Sequence, residues 1–166
     1  MSIIEGTVWK FGDNVDTDVM VPGKYLIGDL ADIASHVMEG IRPGFADLVS
    51  PGDIIVGGKN FGTGSSREMA PRAIQAAGIV AIVAESFARI FFRNCINVGL
   101  VPVECPTAIE VEEGQRVRID TEAGEVVVID TGATHKAIAL PEEIGVILRA
   151  GGLEPFLEEQ ISKGAR

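Results

Sequence analysis

Apolar residues along this chain recur in three distinct patterns. Asp53–Gly58, Ile79–Ala84 and Val98–Val103 each hold a short, nearly unbroken apolar run, the pattern of strands buried on both faces. Between them, the Ala-rich stretch Ala70–Ala77, closed by Gly78, and the stretch Ser86–Asn94 read as helices. This strand–helix–strand–helix–strand order over Ile54–Val103 predicts a parallel or mixed sheet with covering helices. Upstream, Thr7–Phe11 alternates like a short strand and runs into the turn-rich segment Gly12–Asp18. After Pro22-Gly23, the residues Leu30, Ile33, Ala34, Val37 and Met38 keep helical spacing on one face, with Gly40 as the stop. Downstream, Arg116–Asp120 and Glu125–Asp130 alternate around Ala123-Gly124, a hairpin signal, and Leu153, Phe156, Leu157 and Ile161 return to helical spacing.

Together these elements predict an α/β fold. No repeat, low-complexity tract or linker divides the chain, so its 166 residues are expected to form one domain. The composition, 46% hydrophobic but only 5% aromatic, suits a core of aliphatic side chains. A net charge of −10 opposes a phosphate backbone and makes nucleic-acid binding an unsuitable main role. Two cysteines, Cys95 and Cys105, are too few for a disulfide framework or for an iron–sulfur cluster held by this chain alone. Met1–Gly6 carries no basic and apolar leader, and no apolar run approaches the roughly 18 residues of a membrane span. The expectation is a cytoplasmic chain with no membrane contact.

The segment richest in chemistry is Gly58–Glu68, a Gly/Ser loop between a buried strand and a helix. Gly62 and Gly64 allow close backbone approach, Ser65 and Ser66 add hydroxyls, and Arg67 adds a planar cationic fork suited to a carboxylate. Helix-start N–H groups would add anion donors. Such a loop suits a small carboxylic acid. Ser65-Ser66-Arg67-Glu68 equally fits a capping box with no function, although Pro71 would then fall inside the helix. Other glycine-rich readings fail: Arg67 replaces the last glycine of a dinucleotide fingerprint, and no phosphate-loop ending or nucleophile elbow is present.

Gly62-x-Gly64-Ser65-Ser66-Arg67-Glu68 followed by Ala70 resembles the signature of the swivelling domain of the aconitase superfamily. The likeness continues in Ser86–Asn94 and Asn97-x-Gly99-Leu100, and upstream in Asp13–Asp18, Pro22-Gly23 and Tyr25-Leu26. The motif-bearing part spans about Gly6 to Val103, and the hairpin and helices of 104–166 suit the family's free-standing small subunits. The resemblance implies a swivelling β/β/α domain and a subunit of a heteromeric hydro-lyase. Such an enzyme isomerises a hydroxy acid by dehydration and rehydration. It implies further that no metal is bound by this chain, and that a [4Fe–4S] cluster sits on a large partner subunit in a heterodimer or heterotetramer. By the same resemblance Ser65 matches the serine whose alkoxide takes the carbon-bound proton, and Ser66 and Arg67, beside Gly64, hold a substrate carboxylate. Asp18 matches an acidic position at the active-site edge, with turn stabilisation an equally open role. Met69 stands where many members carry histidine, so no polar side chain is available there.

Family members that act on tricarboxylic acids are expected to carry an arginine in the loop that here reads Tyr25-Leu26-Ile27-Gly28, and this loop has none between Lys24 and Arg42. Ile27 would present apolar surface to an isopropyl or methyl group, so a 2-alkylmalate is the expected substrate. Methyl- or dimethylmalate and homoaconitase-type substrates are alternatives, and a non-catalytic carboxylate-binding or regulatory module is the alternative of another class. His36 and His135 lie in no motif and read as surface residues. Arg89 and Arg93, four apart on the predicted helix, suit ion pairs or a subunit interface, and Cys95 reads as a small buried hydrophobe.

Overall fold

The computed structural model describes residues 3–165, so Met1 and Ser2, part of the N-terminal reading above, lie outside the described residues. In chain order the elements are β1 (Ile3–Lys10), α1 (Thr17–Met20), α2 (Leu30–Ala34), α3 (Phe45–Leu48), β2 (Ile54–Gly57), α4 (Met69–Ala76), β3 (Ala81–Ala84), α5 (Arg89–Val98) and β4 (Val101–Glu104). They continue with β5 (Arg116–Asp120), β6 (Glu125–Val128), β7 (Thr134–Lys136), α6 (Glu142–Arg149) and α7 (Leu153–Gly164). Short 3₁₀ turns cover Gly23–Tyr25 and Ala108–Glu110.

Seven strands form one mixed sheet in the order β4-β3-β2-β1-β5-β6-β7. The four strands from β1 to β4 pair in parallel, and β5, β6 and β7 are added antiparallel from β1 onward. Burial follows this division. All positions of β2 and β3 are buried, because both of their faces are covered, whereas β5 alternates with its polar side chains outward.

Side-chain alternation sends the two faces of the parallel strands into separate cores. Ile55 and Ile82 join Ile33, Ile74, Phe91 and Cys95 under the helices. Ile54, Val56, Ala81 and Val83 instead meet Val117, Ile119, Val126 and Val128 of the curled antiparallel half. The layering is therefore β/β/α, and the helical side of the parallel half carries the candidate site.

Several elements depart from the sequence reading for tertiary reasons. The first strand begins at Ile3 rather than Thr7, because Ile3–Thr7 finds partners along β5. The helix expected over Leu30–Met38 stops at Ala34: Met38 adopts φ 62° and donates its N–H to the Met20 carbonyl at 2.7 Å. Val37 and Met38 are still buried, so the periodicity marked the buried face but not the helix length. The helix expected over Ser86–Asn94 runs instead from Arg89 to Val98, since Phe87 forms a bridge with Phe61. It ends on Gly99 at φ 86°, with Gly99 N–H to Ile96 and Leu100 N–H to Cys95 closing the cap. Strand β7 and helix α6 were not located by pattern. Helix α7 forms where its spacing predicts, yet Ile161 on its apolar stripe is exposed. None of the described helices is long and apolar enough to cross a membrane.

Candidate active site

Two loops at the ends of parallel strands clasp each other. After β1, Asp13 accepts the Lys59 N–H at 2.8 Å, and Asn14 donates its N–H to the Lys59 carbonyl at 2.8 Å. Further on, Gly62 N–H reaches Val15 and Thr17 N–H reaches Thr63, both at 2.8 Å. The polar segment that looks like a solvated turn is thus one side of a small parallel ladder. It delivers Thr17 and Asp18, at the start of α1, to the loop that carries Ser65.

Gly64 sits at φ 99°, and a Cβ there would come within 2.6 Å of the Asp16 carboxylate. Glycine is needed at this point for backbone conformation and for closeness to Asp16, and Gly64 also lines the pocket onto which the loop opens. The serines do not cap α4. The N-cap is Glu68, which makes no side-chain cap bond, and Pro71 falls in the first turn, where an N–H would have no intrahelical partner. Ser65, Ser66 and Arg67 are therefore left in an open loop, and the capping-box alternative does not describe this structure.

Three functional groups meet at one oxygen. Ser65 Oγ donates to Asp18 Oδ1 at 3.1 Å, and Arg67 Nη2 pairs with the same oxygen at 3.0 Å. Arg67 Nη1 also donates to the Val21 carbonyl at 3.1 Å, and the buried Thr17 hydroxyl donates to the Ser65 carbonyl at 2.9 Å. Arg67 keeps N–H donors free, because a guanidinium carries more than these two contacts use. With its proton directed at Asp18, the Ser65 oxygen has lone pairs left to face outward. Ser65 and Ser66 are exposed and Thr17 is not, so the two serine hydroxyls stand on a buried base.

These residues open on a pocket of about 360 Å³, whose far wall is the start of α5: Ala88, Arg89, Ile90, Phe91 and Asn94. Asp18 is not among the lining residues and holds the pocket's Ser65 and Arg67 from outside it. Leu26, Ile27 and Gly28 do not line it either. Leu26 packs against the helical core, Gly28 has φ 115° with Asp32 close by, and Ile27 projects outward, 83% exposed. Of the three loop positions, only Ile27 has a side chain free to meet a ligand. The loop is tied to the site through Val21, which lies just before it and is held by Arg67.

Thr17, the Val21 carbonyl and Asn94 were not singled out from sequence. A threonine beside an aspartate in a polar turn carries no signal of burial, and Asn94 is placed only by the register of α5. Other residues are placed differently from the expectation. His135 is buried, 8% exposed, with Nδ1 at 2.8 Å from the Thr107 hydroxyl, because β7 adds to the sheet and turns it inward. His36 is half-buried and stacks on Tyr25, with ring centroids 3.9 Å apart. Arg89 and Arg93 are exposed and form no ion pair among the described residues.

The cysteines are unsuited to an iron–sulfur cluster. Cys95 lies in the helical core and Cys105 in the sheet–sheet core, on opposite faces of the sheet. Burial pushes both thiols up, away from the thiolate that binds iron. Among the described residues no group of three or more His, Cys, Asp or Glu side chains could hold a metal ion.

The profile of the aconitase C-terminal domain matches residues 49–108, which hold the Ser65 loop and most of the parallel sheet. The chain is 51% identical to the isopropylmalate/citramalate isomerase small subunit of Methanocaldococcus jannaschii, over 98% of each chain. It is 52% identical to the 3-isopropylmalate dehydratase small subunit of Hydrogenobaculum, over 96% of this chain and 99% of the relative. It is also 51% identical to the methanogen homoaconitase small subunit of Methanothermobacter thermautotrophicus, over 98% and 95%. A crystal structure of 3-isopropylmalate dehydratase from M. jannaschii superimposes with a TM-score of 0.93 at 46% identity, covering 98% of both chains.

Proposed function

The chain belongs to the family of 3-isopropylmalate dehydratase small subunits, and on that premise we propose that it serves as the small subunit of a heteromeric hydro-lyase. The enzyme interconverts a 2-alkylmalate and its 3-alkyl isomer, 2- and 3-isopropylmalate first, by dehydration and rehydration, a step of leucine biosynthesis in the cytoplasm. The observation that carries this reading is the convergence of Ser65 and Arg67 on Asp18 Oδ1 beside an open pocket.

Each group has a task that its surroundings support. Ser65 exchanges the carbon-bound proton through Oγ. A free hydroxyl is a poor base, so its alkoxide needs nearby positive charge and exclusion of water. Arg67 lies in the same network and supplies that charge. Its remaining N–H groups, with the Ser66 hydroxyl, orient a substrate carboxylate. Asp18 holds Ser65 and Arg67 in register. An iron–sulfur cluster on the large subunit would supply Lewis acidity toward the substrate hydroxyl.

Overall identity does not separate substrates, since isomerase and homoaconitase relatives are equally similar. The loop supports an alkylmalate: Ile27 is the projecting side chain, and an extra carboxylate beside it would lose water with no guanidinium opposite. The tricarboxylic alternative would draw its cation from Lys24, whose ammonium lies over the Tyr25 ring, 4.9 Å from the centroid. The test is to purify the chain alone and with its large subunit, anaerobically, and to assay alkylmalates and tricarboxylic homologues. The chain alone should be inactive and the pair active on 3-isopropylmalate. An active, cluster-bearing chain without a partner would overturn the reading, as would acid binding by the chain with no turnover by the pair.

A further inference from the structure

We infer that the first half of α5, built on Arg89, Ile90 and Arg93, is the surface on which the large subunit seats, and that the partner presents carboxylates to it. This rests on the small-subunit reading above.

Three observations converge on that face. The first is continuity with the site. Arg89 lines the Ser65 pocket and also an adjoining depression of about 260 Å³ formed with Phe87, Phe92, Arg93 and Glu104. Ser65 and Ser66 are exposed, and proton transfer to an alkoxide requires that water be excluded. A body that closes the pocket must therefore rest on its rim, and the start of α5 is the wall opposite Ser65.

The second is charge. The chain carries a net charge of −10, and among the described residues the other arginines, Arg116 excepted, find carboxylates, whereas Lys24, Lys59 and Lys136 form no ion pair. Arg42 pairs with Glu113, Arg72 with Glu68, Arg118 with Glu5 and Arg149 with Glu142. Arg89 and Arg93 pair with nothing among the described residues, although Glu104 borders the same depression. Two guanidiniums left unpaired on a strongly acidic chain suit an acidic partner surface, and equally disfavour a copy of this chain that presents its own arginines.

The third is the apolar surface beside the arginines. Ile90, 51% exposed, lies on the side of the Ser65 pocket, and the partly buried Phe87 and Phe92 lie on the other side, in the depression that Arg89 and Arg93 share. Apolar side chains set on either side of arginine are the composition of an interface.

Arg93 lies outside the Ser65 pocket, so its variants separate assembly from chemistry. The experiment titrates large subunit with full-length small subunit and reads both binding, by calorimetry, and turnover at saturation, at low and at moderate salt. Arg93→Glu should weaken association at least about tenfold at low salt and flatten its salt dependence, because a rim charge acts chiefly through long-range attraction. Turnover at saturating small subunit should remain within about twofold, and Arg93→Lys should bind nearly as wild type, within the same order-of-magnitude reading. Ile90→Asp should weaken binding at both salts. Lys136→Glu, an exposed position on β7 at the other edge of the sheet, should change nothing. Unaltered association of a folded Arg93→Glu at both salts would overturn the assignment. So would loss of self-association in that variant with partner binding intact, which would make the face a contact between copies of this chain. Wild-type chain that fails to bind the large subunit at all would instead overturn the functional reading on which the assignment rests.

Discussion

The Thr63–Glu68 loop and the Lys24–Gly28 loop, linked through the contact of Arg67 with Val21, are held in opposite ways. The first is tied from behind at almost every step: Thr17 holds the Ser65 carbonyl, Asp18 holds Ser65 Oγ and Arg67, and Val21 holds the guanidinium. The second is anchored only at its base, where Leu26 packs on the core and Tyr25 stacks on His36. Its tip, Ile27, projects into solvent. Groups that move protons need fixed geometry, and the small subunit supplies that geometry by itself. An alkyl pocket needs walls on several sides, and here the small subunit supplies one side chain. On the proposed function, the geometry for proton transfer is built on this chain, whereas the alkyl pocket is completed on assembly.

Removing the proposed base from the tied loop should have the largest effect. Ser65→Ala in the assembled enzyme should lower turnover by at least about 10²-fold, the lower range for an acid–base group. KM should change far less. Stability should fall by well under the ~1 kcal/mol of a lost cap, because the serine caps no helix. Turnover near that of wild type would show that the network is structural and end the contrast between the loops.

The free loop is tested by giving it a charge. Ile27→Arg should raise kcat/KM for a tricarboxylic homologue relative to 3-isopropylmalate by about tenfold or more, in keeping with the few kcal/mol of typical pocket discrimination. Gly28→Arg should mainly lower the melting temperature, since φ 115° disfavours a side chain and Asp32 crowds the position. Leu26→Arg should do likewise by putting a charge against the helical core. A wild-type complex that already prefers the tricarboxylic acid would contradict the apolar-loop argument.

A smaller change should loosen the tied loop without touching its chemistry. Thr17→Val keeps the buried shape but removes the hydroxyl that donates to the Ser65 carbonyl. Leaving that tether unmade should cost about 1 kcal/mol of stability. Turnover should drop by a few-fold, with no change in substrate ratio, as measured by thermal unfolding and by kcat on two alkylmalates. A shifted ratio would mean that the two loops are coupled, not separately held.

How far the sequence can be read varies with the physics at each position. The parallel core was legible because strands covered on both faces must be apolar throughout, so Ile54–Val56 and Ala81–Ala84 announce themselves. The hairpin of β5 and β6 was legible from alternation and from Gly124, which turns at φ 71°. Strand β7 was not: it is three residues long, and its only buried member is His135, a residue that reads as surface until the sheet's edge covers it. The end of α2 was hidden as well, because a hydrogen bond from Met38 to Met20 redirects a backbone whose side chains keep helical spacing.

At the site, the sequence by itself determined the inventory: a glycine-rich turn, two serines, an arginine, an acidic residue upstream, and a loop with an isoleucine where a cation could stand. It also determined that two cysteines cannot make a cluster, since ligand number is a matter of counting. Only the tertiary structure decided that Asp18 and Thr17 stand behind Ser65, 47 and 48 residues away along the chain. It decided too that the serines leave α4 uncapped, that Ile27 rather than Leu26 faces outward, and that Arg89 and Arg93 go unpaired. The reason is that residue type sets what a group can do, whereas its partners are set by which strand lies beside which. The parallel pairing of β1 with β2, between segments more than 40 residues apart, is what brings the two loops to one end of the sheet.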